Sequence, residues 1–532
     1  MSHQKRKLLL TSVFKPFGVD DEFGKKENVL EPMHNQVTRA QEIFSIRSHN
    51  PTFALRLLAE NIKTPVTVMD FPTQDEFIAE LKSGNYSDVG ISFIVPNFDK
   101  ARQMASLTRT YSPQSKIILG GHGVTVPDIE KLVSFDEICF GEGVSWLRSY
   151  FQESEGLPIV HPIMKMDFAR KLCGIPSPNV KSVLIPGVGC PYRCDFCCTS
   201  HFFKGYTSFF RSNEALFQAM IDISNKLGTN EFFVLDENIL KDKDKIYELA
   251  ALMRKHERRF RLDVFASLDA LAAMPVEKLV EAGIEFVWVG IESRENIYSK
   301  TRGIDARDVF IKLRKHGISV LTSSILFLDH HTQANIWDDI DYTISLGADF
   351  IQFMQLGPLP RTALYDRLEK SDRIMHDVPY MEWHGQDKIW FKHPIFSREQ
   401  SKNILDVAFK KEYNALGPTL MRIAETKMMA VENGVVVKGD TFMEARYQDQ
   451  VKYVLQFRPL LPLFEKFAPN EKIQRQAKKI TEWFNRRFGK QSFSDAAQSL
   501  AALFLARVEQ KKLRLHLPVS QPPTFIERYR MS

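Results

Sequence analysis

Four of the chain's six cysteines fall within one stretch, GVGCPYRCDFCCTS, residues 187–200. Cys190, Cys194 and Cys197 form C-x3-C-x2-C, a spacing far from chance at six cysteines in 532 residues. Pro191 and a short turn bend the segment so that three thiolates can surround one compact metal site. Several chemistries fit these residue types. His201 would complete a Cys3His zinc site. Cys194 and Cys197 would form a dithiol redox pair. Cys198 would complete a four-thiolate cluster, but it directly follows Cys197, so its side chain diverges from its neighbour's. Three thiolates without a fourth leave one metal position open. Cys139 and Cys173 are isolated, and Cys139 lies in an apolar strand pattern that reads as core.

The elements that must position this loop follow two alternating strand–helix sets. The second set predicts strands at 182–188, 231–236, 261–266, 285–291, 318–327 and 349–355, with helical patterns between them. Six such units imply a partial (β/α)6 barrel over 182–394, whose chemistry sits at the C-terminal ends of the strands. The cysteine loop begins just after the first of these. An earlier set, 7–13, 65–71, 88–95, 115–121 and 137–141, predicts a doubly wound, Rossmann-like parallel sheet over 1–155. Its strand ends carry GGHG (120–123) and GEG (141–143), and such ends are where open α/β sheets bind ligands. The fold class is therefore α/β: this sheet, a proline-rich linker at 156–181, the barrel, and a helical C-terminal domain over 395–532. The long stretch 14–50 interrupts the first domain.

Bulk composition narrows the class. The chain has 44% hydrophobic and 26% charged residues and a net charge of +6. That is an ordinary globular composition with no charge argument for nucleic acid. Clustered cysteines without a disulfide framework point to a reducing compartment, hence a cytoplasmic location. No apolar run reaches the roughly 18 residues needed to span a bilayer. Residues 472–490 are strongly basic, with Ile473, Ala477, Ile480 and Phe484 at helical spacing. Such a stretch packs its apolar stripe on the domain or lies on an anionic membrane.

With Phe196 as the aromatic of C-x3-C-x-aromatic-C on the loop after the first strand, the chain resembles the radical S-adenosylmethionine (SAM) superfamily. The resemblance extends over residues 182–365. VLDEN (234–238) follows the second strand, where the family holds the amino group of SAM, which implies roles for Asp236 and Glu237. WVGIESREN (288–296) follows the fourth and implies that Glu292 binds SAM. LGPLPRTALYD (356–366) resembles the segment after the sixth. The resemblance implies a [4Fe–4S] cluster on Cys190, Cys194 and Cys197, with SAM on the open iron and an electron donor such as flavodoxin or ferredoxin as partner.

The first domain resembles the cobalamin-binding domain that precedes many such barrels. GISFIVPN (90–97) places Ser92 in the family's Ser-x-Leu position. GGHG implies contacts from Gly120, Gly121 and His122, and CFGEG from Gly141, Glu142 and Gly143. The Asp-x-His-x-x-Gly motif that supplies a cobalt ligand elsewhere is absent after the first strand. Together these imply a cobalamin-dependent radical SAM enzyme, most commonly a methyltransferase acting on an unactivated carbon. A non-methylating relative performing cyclisation, rearrangement or oxidation is the alternative, and a non-catalytic zinc- or cluster-bearing protein is an alternative of another class. The substrate, whether lipid, peptide or small metabolite, is not legible. The aromatic segment 378–394 either covers the barrel mouth or packs as core, and His330 and His331 follow the fifth strand.

Overall fold

The computed structural model describes residues 6–28, 33–167, 169–176, 181–295, 298–434, 439–515 and 520–531. In the first domain the strands Leu8–Thr11, Val66–Asp70, Asp88–Ser92, Lys116–Gly120 and Glu137–Ile138 run parallel in spatial order 2-1-3-4-5. They lie where the apolar runs predict. Helices cover both faces, so the inner strands are almost wholly buried, as parallel strands must be.

The six barrel strands are Ser182–Leu184, Glu231–Val234, Arg261–Ser267, Ile284–Glu292, Ser319–Leu326 and Phe350–Gln355. They pair in parallel in consecutive order, and no pairing joins the sixth to the first. The barrel is therefore open, with the cysteine loop rising from its first edge. The run predicted as one strand at 182–188 is broken. Pro186 has no N–H for a ladder, and Gly187–Val188 instead pairs antiparallel with Thr207–Ser208. That two-stranded clamp brackets the cysteines.

Two boundaries differ from expectation. Within the 156–181 linker, Ala169–Leu172 pairs antiparallel with Arg47–His49 and with Ile175–Pro176; residues 177–180 lie outside the described residues. The long stretch 14–50 thus supplies a strand to this small sheet. The C-terminal region is mainly helical, but its last strand, Phe525–Tyr529, returns to the first domain and pairs antiparallel with Val66–Asp70. An edge strand exposes unpaired backbone groups; the returning strand covers them, and Arg528 bonds Glu80 at 2.8 Å.

In the helix Glu471–Phe488 the stripe Ile473, Ala477, Ile480 and Phe484 is buried in the C-terminal core. The packing reading of that basic stretch therefore holds. No helix among the described residues is long and apolar enough to cross a membrane.

Candidate active site

The cysteine loop is held from several directions. Gly189 has φ +85°, and a Cβ there would lie 1.8 Å from the Gly205 carbonyl oxygen, so only glycine lets the two sides of the clamp meet. Cys197 N–H donates to the Cys194 carbonyl at 3.1 Å. The Tyr192 hydroxyl donates to Asp269 at 2.5 Å, and Lys241 bonds the same carboxylate at 2.8 Å. From the segment after the sixth strand, Leu364 N–H donates to the Asp195 carbonyl at 2.9 Å and Arg367 pairs with the Asp195 side chain at 3.1 Å. The resemblance of 356–366 thus has a physical counterpart: that segment ties down the loop.

Cys190, Cys194 and Cys197 are all partly exposed. Among the described residues, only His330, His331 and Asp339 form a group whose ligand atoms all lie within 4.8 Å of one another. The three cysteine sulfurs stand wider apart. Zinc with Zn–S of about 2.3 Å would draw its thiolates to about 3.8 Å; a cubane places each thiolate on a separate iron and accepts wider spacing. His201 Nδ1 bonds the Cys197 carbonyl at 2.9 Å within its own helical turn, which leaves its Nε2 uncommitted. Cys198 opens the helix Cys198–Phe202, and burial pushes its thiol up to about 12. The donor set therefore fits an iron–sulfur cluster on three thiolates.

Beside the loop, at the C-terminal ends of the strands, lies a cavity of about 360 Å³ that includes Phe196, Glu237, Glu292 and Lys300 in its wall. Glu292 ends the fourth strand with φ +59°, an unusual conformation for a side-chain-bearing residue. Gly290 makes room for it: a Cβ there would meet the Glu292 carboxylate at 2.3 Å. Glu292 forms a salt bridge with Lys300. Burial alone would lower Lys300, but Glu292 and the nearby Cys194 and Cys197 outweigh it and hold the ammonium above its ordinary pKa. Lys300 had no motif to announce it. It lies past the strand end, and only the fold brings it back against Glu292.

Asp236 and Glu237 divide. Glu237 reaches the cavity. Asp236 is buried, accepting from the Tyr206 hydroxyl at 2.7 Å and from Asn238 N–H at 3.0 Å. Its carboxylate is committed to the clamp that holds the cysteine loop. Asn238 in turn bonds Ser267 at 2.9 Å, joining the second and third strand ends. Asn296, the end of the 288–296 motif, lies outside the described residues.

In the aromatic segment 378–394 the core-packing expectation is met. Trp383 and Trp390 are fully buried and stack at 5.8 Å, and they also line the cavity with His384 and Gln355. Neither His384 Nε2 nor Gln355 Oε1 has a hydrogen-bond partner. Burial holds His384 down to about 4, so it is neutral. These two unpaired atoms escaped sequence reading because neither residue sits in a motif. By contrast, His331 is fully spent. Its Nδ1 accepts from Leu328 N–H at 3.1 Å, and its Nε2 faces Asp339 at 2.8 Å. Asp339 also accepts from Arg294 N–H at 2.9 Å. The His330–His331–Asp339 group thus braces the loops after the fourth and fifth strands, with no ring nitrogen of His331 left for a metal.

The first domain presents its strand ends to the cysteine helix. His122 packs on Phe202 with ring centroids 4.5 Å apart, and Phe140 on Phe202 at 4.6 Å. His122 Nε2 is buried without a partner, and burial holds this imidazole down to about 4. The glycines differ in what they meet. Gly121 has φ +83°, and a Cβ would lie 2.5 Å from the Phe93 carbonyl oxygen and 3.2 Å from Ser92 Oγ. Gly143 would clash with Leu58 at 2.9 Å. Glycine at 121 is required by the protein itself, whereas at 143 the Leu58 side chain could shift to admit a Cβ. At Gly120 the nearest atom is Cys139 Cβ at 3.8 Å, so the protein leaves space there; Gly141 also has space around a Cβ, but its φ of +87° favours glycine on backbone grounds alone. Glu142 caps the helix Gly143–Tyr150, accepting from Val144 and Ser145 N–H at 2.5 and 2.8 Å. The open space at Gly120 and the orphaned imidazole of His122 at the strand ends fit a bound planar cofactor.

Comparison with known proteins agrees with this geometry. The family model described as "Radical SAM superfamily" matches residues 184–343. Bacteriochlorophyllide d C-8(2)-methyltransferase of Chlorobaculum tepidum is 26% identical over 327 residues, 55% of this chain and 70% of that protein. Hopanoid C-2 methylase of Rhodopseudomonas palustris is 22% identical over 200 residues, 36% of this chain and only 38% of that protein. The radical SAM methyltransferase TsrM from Kitasatospora setae, with cobalamin and a [4Fe–4S] cluster bound, superposes with a TM-score of 0.52 at 14% identity. That match covers 85% of this chain and 99% of TsrM. With the three-cysteine loop placed at the open edge of a six-stranded barrel, residues 184–343 of the chain form a radical SAM domain.

Proposed function

We propose that the chain is a cobalamin-dependent radical SAM methyltransferase acting on an unactivated carbon. The observation that carries this reading is the apposition of two strand-end surfaces. The thiolate loop and the Glu292–Lys300 pair lie at one, and the open glycines with His122 lie at the other, joined through Phe202. Cys190, Cys194 and Cys197 hold the cluster. An amino-acid zwitterion is complementary to an acid–base pair, so Glu292 takes the ammonium of SAM and Lys300 its carboxylate through charge-assisted hydrogen bonds. Phe196 and Glu237 complete that wall. Gly120, Gly141 and His122 face cobalamin. When bound, the cluster and SAM supply a carbon radical and cobalamin supplies the methyl group. The protein's own work is to orient these groups and exclude water, which Trp383 and Trp390 do by closing the barrel mouth.

Relatives named as methyltransferases support the methyl step. A TsrM structure holding tryptophan and a SAM analogue supports a small organic substrate near the cofactors. The electron donor is a flavodoxin or ferredoxin, and the protein works in the cytoplasm. The test is product stoichiometry with SAM carrying a deuterated methyl group. Methylation gives one 5′-deoxyadenosine and one S-adenosylhomocysteine per labelled product. Turnover yielding 5′-deoxyadenosine alone, with unlabelled product, would replace methyl transfer by the non-methylating alternative while keeping the radical SAM assignment.

A further inference from the structure

The helix Phe493–Arg514 buries only one side. Ser499, Ala502 and Ala506 face the domain, while Phe493, Leu500 and Phe504 are 93%, 71% and 66% exposed. At about 100° per residue, Phe493, Ala497, Leu500, Phe504 and Val508 fall within an arc of about 80°. Arg507 and Lys511 continue that same arc toward the C-terminus. The helix's two acids, Asp495 and Glu509, point the other way. Asp495 bonds the Ser492 cap, and Glu509 lies against Gly174. An exposed apolar stripe of this length on a globular protein marks a contact surface.

Charge identifies the partner. Residues 471–515 contain eleven Lys or Arg and four Asp or Glu, a surplus of seven that exceeds the +6 of the entire chain. The preceding helix, Glu471–Phe488, has its apolar stripe buried, so Lys478, Lys479, Arg486 and Arg487 face outward. Asn485, Lys490 and Leu503 line one groove, which places both helices along the same surface. A second copy of the chain would set this positive surface against itself in a two-fold contact, which like-charge repulsion opposes. A water-facing role would leave the phenylalanines without purpose. Apolar side chains flanked by Lys and Arg instead match the two layers of a membrane surface, acyl boundary and anionic headgroup.

We infer that the exposed face of Phe493–Arg514, with the basic residues beside it, docks this protein on an anionic lipid surface. Phe493, Leu500 and Phe504 enter the acyl boundary, and the surrounding Lys and Arg contact headgroup phosphates. The face lies outside the cofactor surfaces, so the inference does not depend on which reaction the enzyme performs.

Flotation of the full chain with vesicles tests it. Phosphatidylcholine vesicles containing about one-third phosphatidylglycerol should carry the protein, and pure phosphatidylcholine vesicles should carry at least about tenfold less. Raising the salt should weaken binding, since these charges are exposed. Leu500→Ser/Phe504→Ser should cut partitioning about tenfold or more with unchanged circular dichroism and cluster iron content. Lys511→Glu with Arg507→Glu should do the same while keeping the apolar stripe. Absence of binding to the anionic vesicles at low salt overturns the inference. So does binding indifferent to both variants. A concentration-dependent dimer in sedimentation, abolished by Leu500→Ser/Phe504→Ser, overturns it in favour of a second copy.

Discussion

Cys197 and Cys198 are adjacent in the chain, yet only the first is proposed as a cluster ligand. Cys197 is the last residue before a helix and Cys198 the first within it, so the two side chains take different directions. We expect Cys190→Ala, Cys194→Ala or Cys197→Ala to abolish the four iron and four sulfide ions of an anaerobically reconstituted cluster, while Cys198→Ala keeps them. Iron and sulfide analysis checks this, and cluster loss in Cys198→Ala would contradict the three-thiolate site. The Glu292–Lys300 pair invites a second measurement. Lys300→Met leaves Glu292 as a buried carboxylate without its cation, so SAM affinity should fall at least about tenfold. Glu292→Gln should weaken it similarly. Iron content should persist in both, and unchanged SAM affinity would show that this pair only braces the strand end.

The elements that matter are short and rigid rather than long and flexible. Gly187–Val188 with Thr207–Ser208 clamps the cysteine loop, and Tyr206 anchors that clamp to Asp236 at 2.7 Å. In the first domain the turn after the fourth strand holds a glycine with no room for a side chain, Gly121, next to one with room, Gly120. Gly121→Leu would drive a side chain into the Phe93 backbone and damage the domain, so it cannot report on cobalamin. Gly120→Val is the informative change, because a Cβ there meets nothing closer than 3.8 Å. We expect that variant to keep its thermal midpoint and iron content but take up markedly less cobalamin, read from the corrin absorbance of the reconstituted protein. Normal uptake would remove Gly120 from the cofactor surface.

Across the whole molecule, three partly buried histidines link stability to pH. Burial holds His122, His161 and His384 at about 4 each. An unfolded histidine titrates near 6.5. Because the folded value lies below the unfolded one, the neutral form is favoured by folding. The contribution is complete above about pH 6.5 and is lost as pH falls toward 4, on the order of 1–2 kcal/mol per histidine by pH 5. Urea midpoints should therefore drop between pH 7 and pH 5, above the range in which most carboxylates titrate. His122→Asn should reduce that dependence by about a third, and a flat profile in the unsubstituted protein would show these rings to be hydrated.

What the chain's linear order determined is what depends on near neighbours. The spacing of Cys190, Cys194 and Cys197 is local, so a metal-binding loop was legible. Alternating apolar strands and amphipathic helices are also local, and both parallel sheets lie where those patterns put them. What only the tertiary structure decided involves residues far apart in sequence. Lys300 pairs with Glu292 across a strand end that no local pattern announces. Asp236 is withdrawn from the cavity because Tyr206, thirty residues earlier, claims its carboxylate. A Cβ at Gly121 would meet the Phe93 backbone and one at Gly143 the Leu58 side chain, neighbours that no glycine pattern can express. The strand Phe525–Tyr529 joins a sheet more than 450 residues upstream, since an exposed edge accepts any partner with the right backbone, and backbone hydrogen bonding leaves almost no trace in side-chain identity.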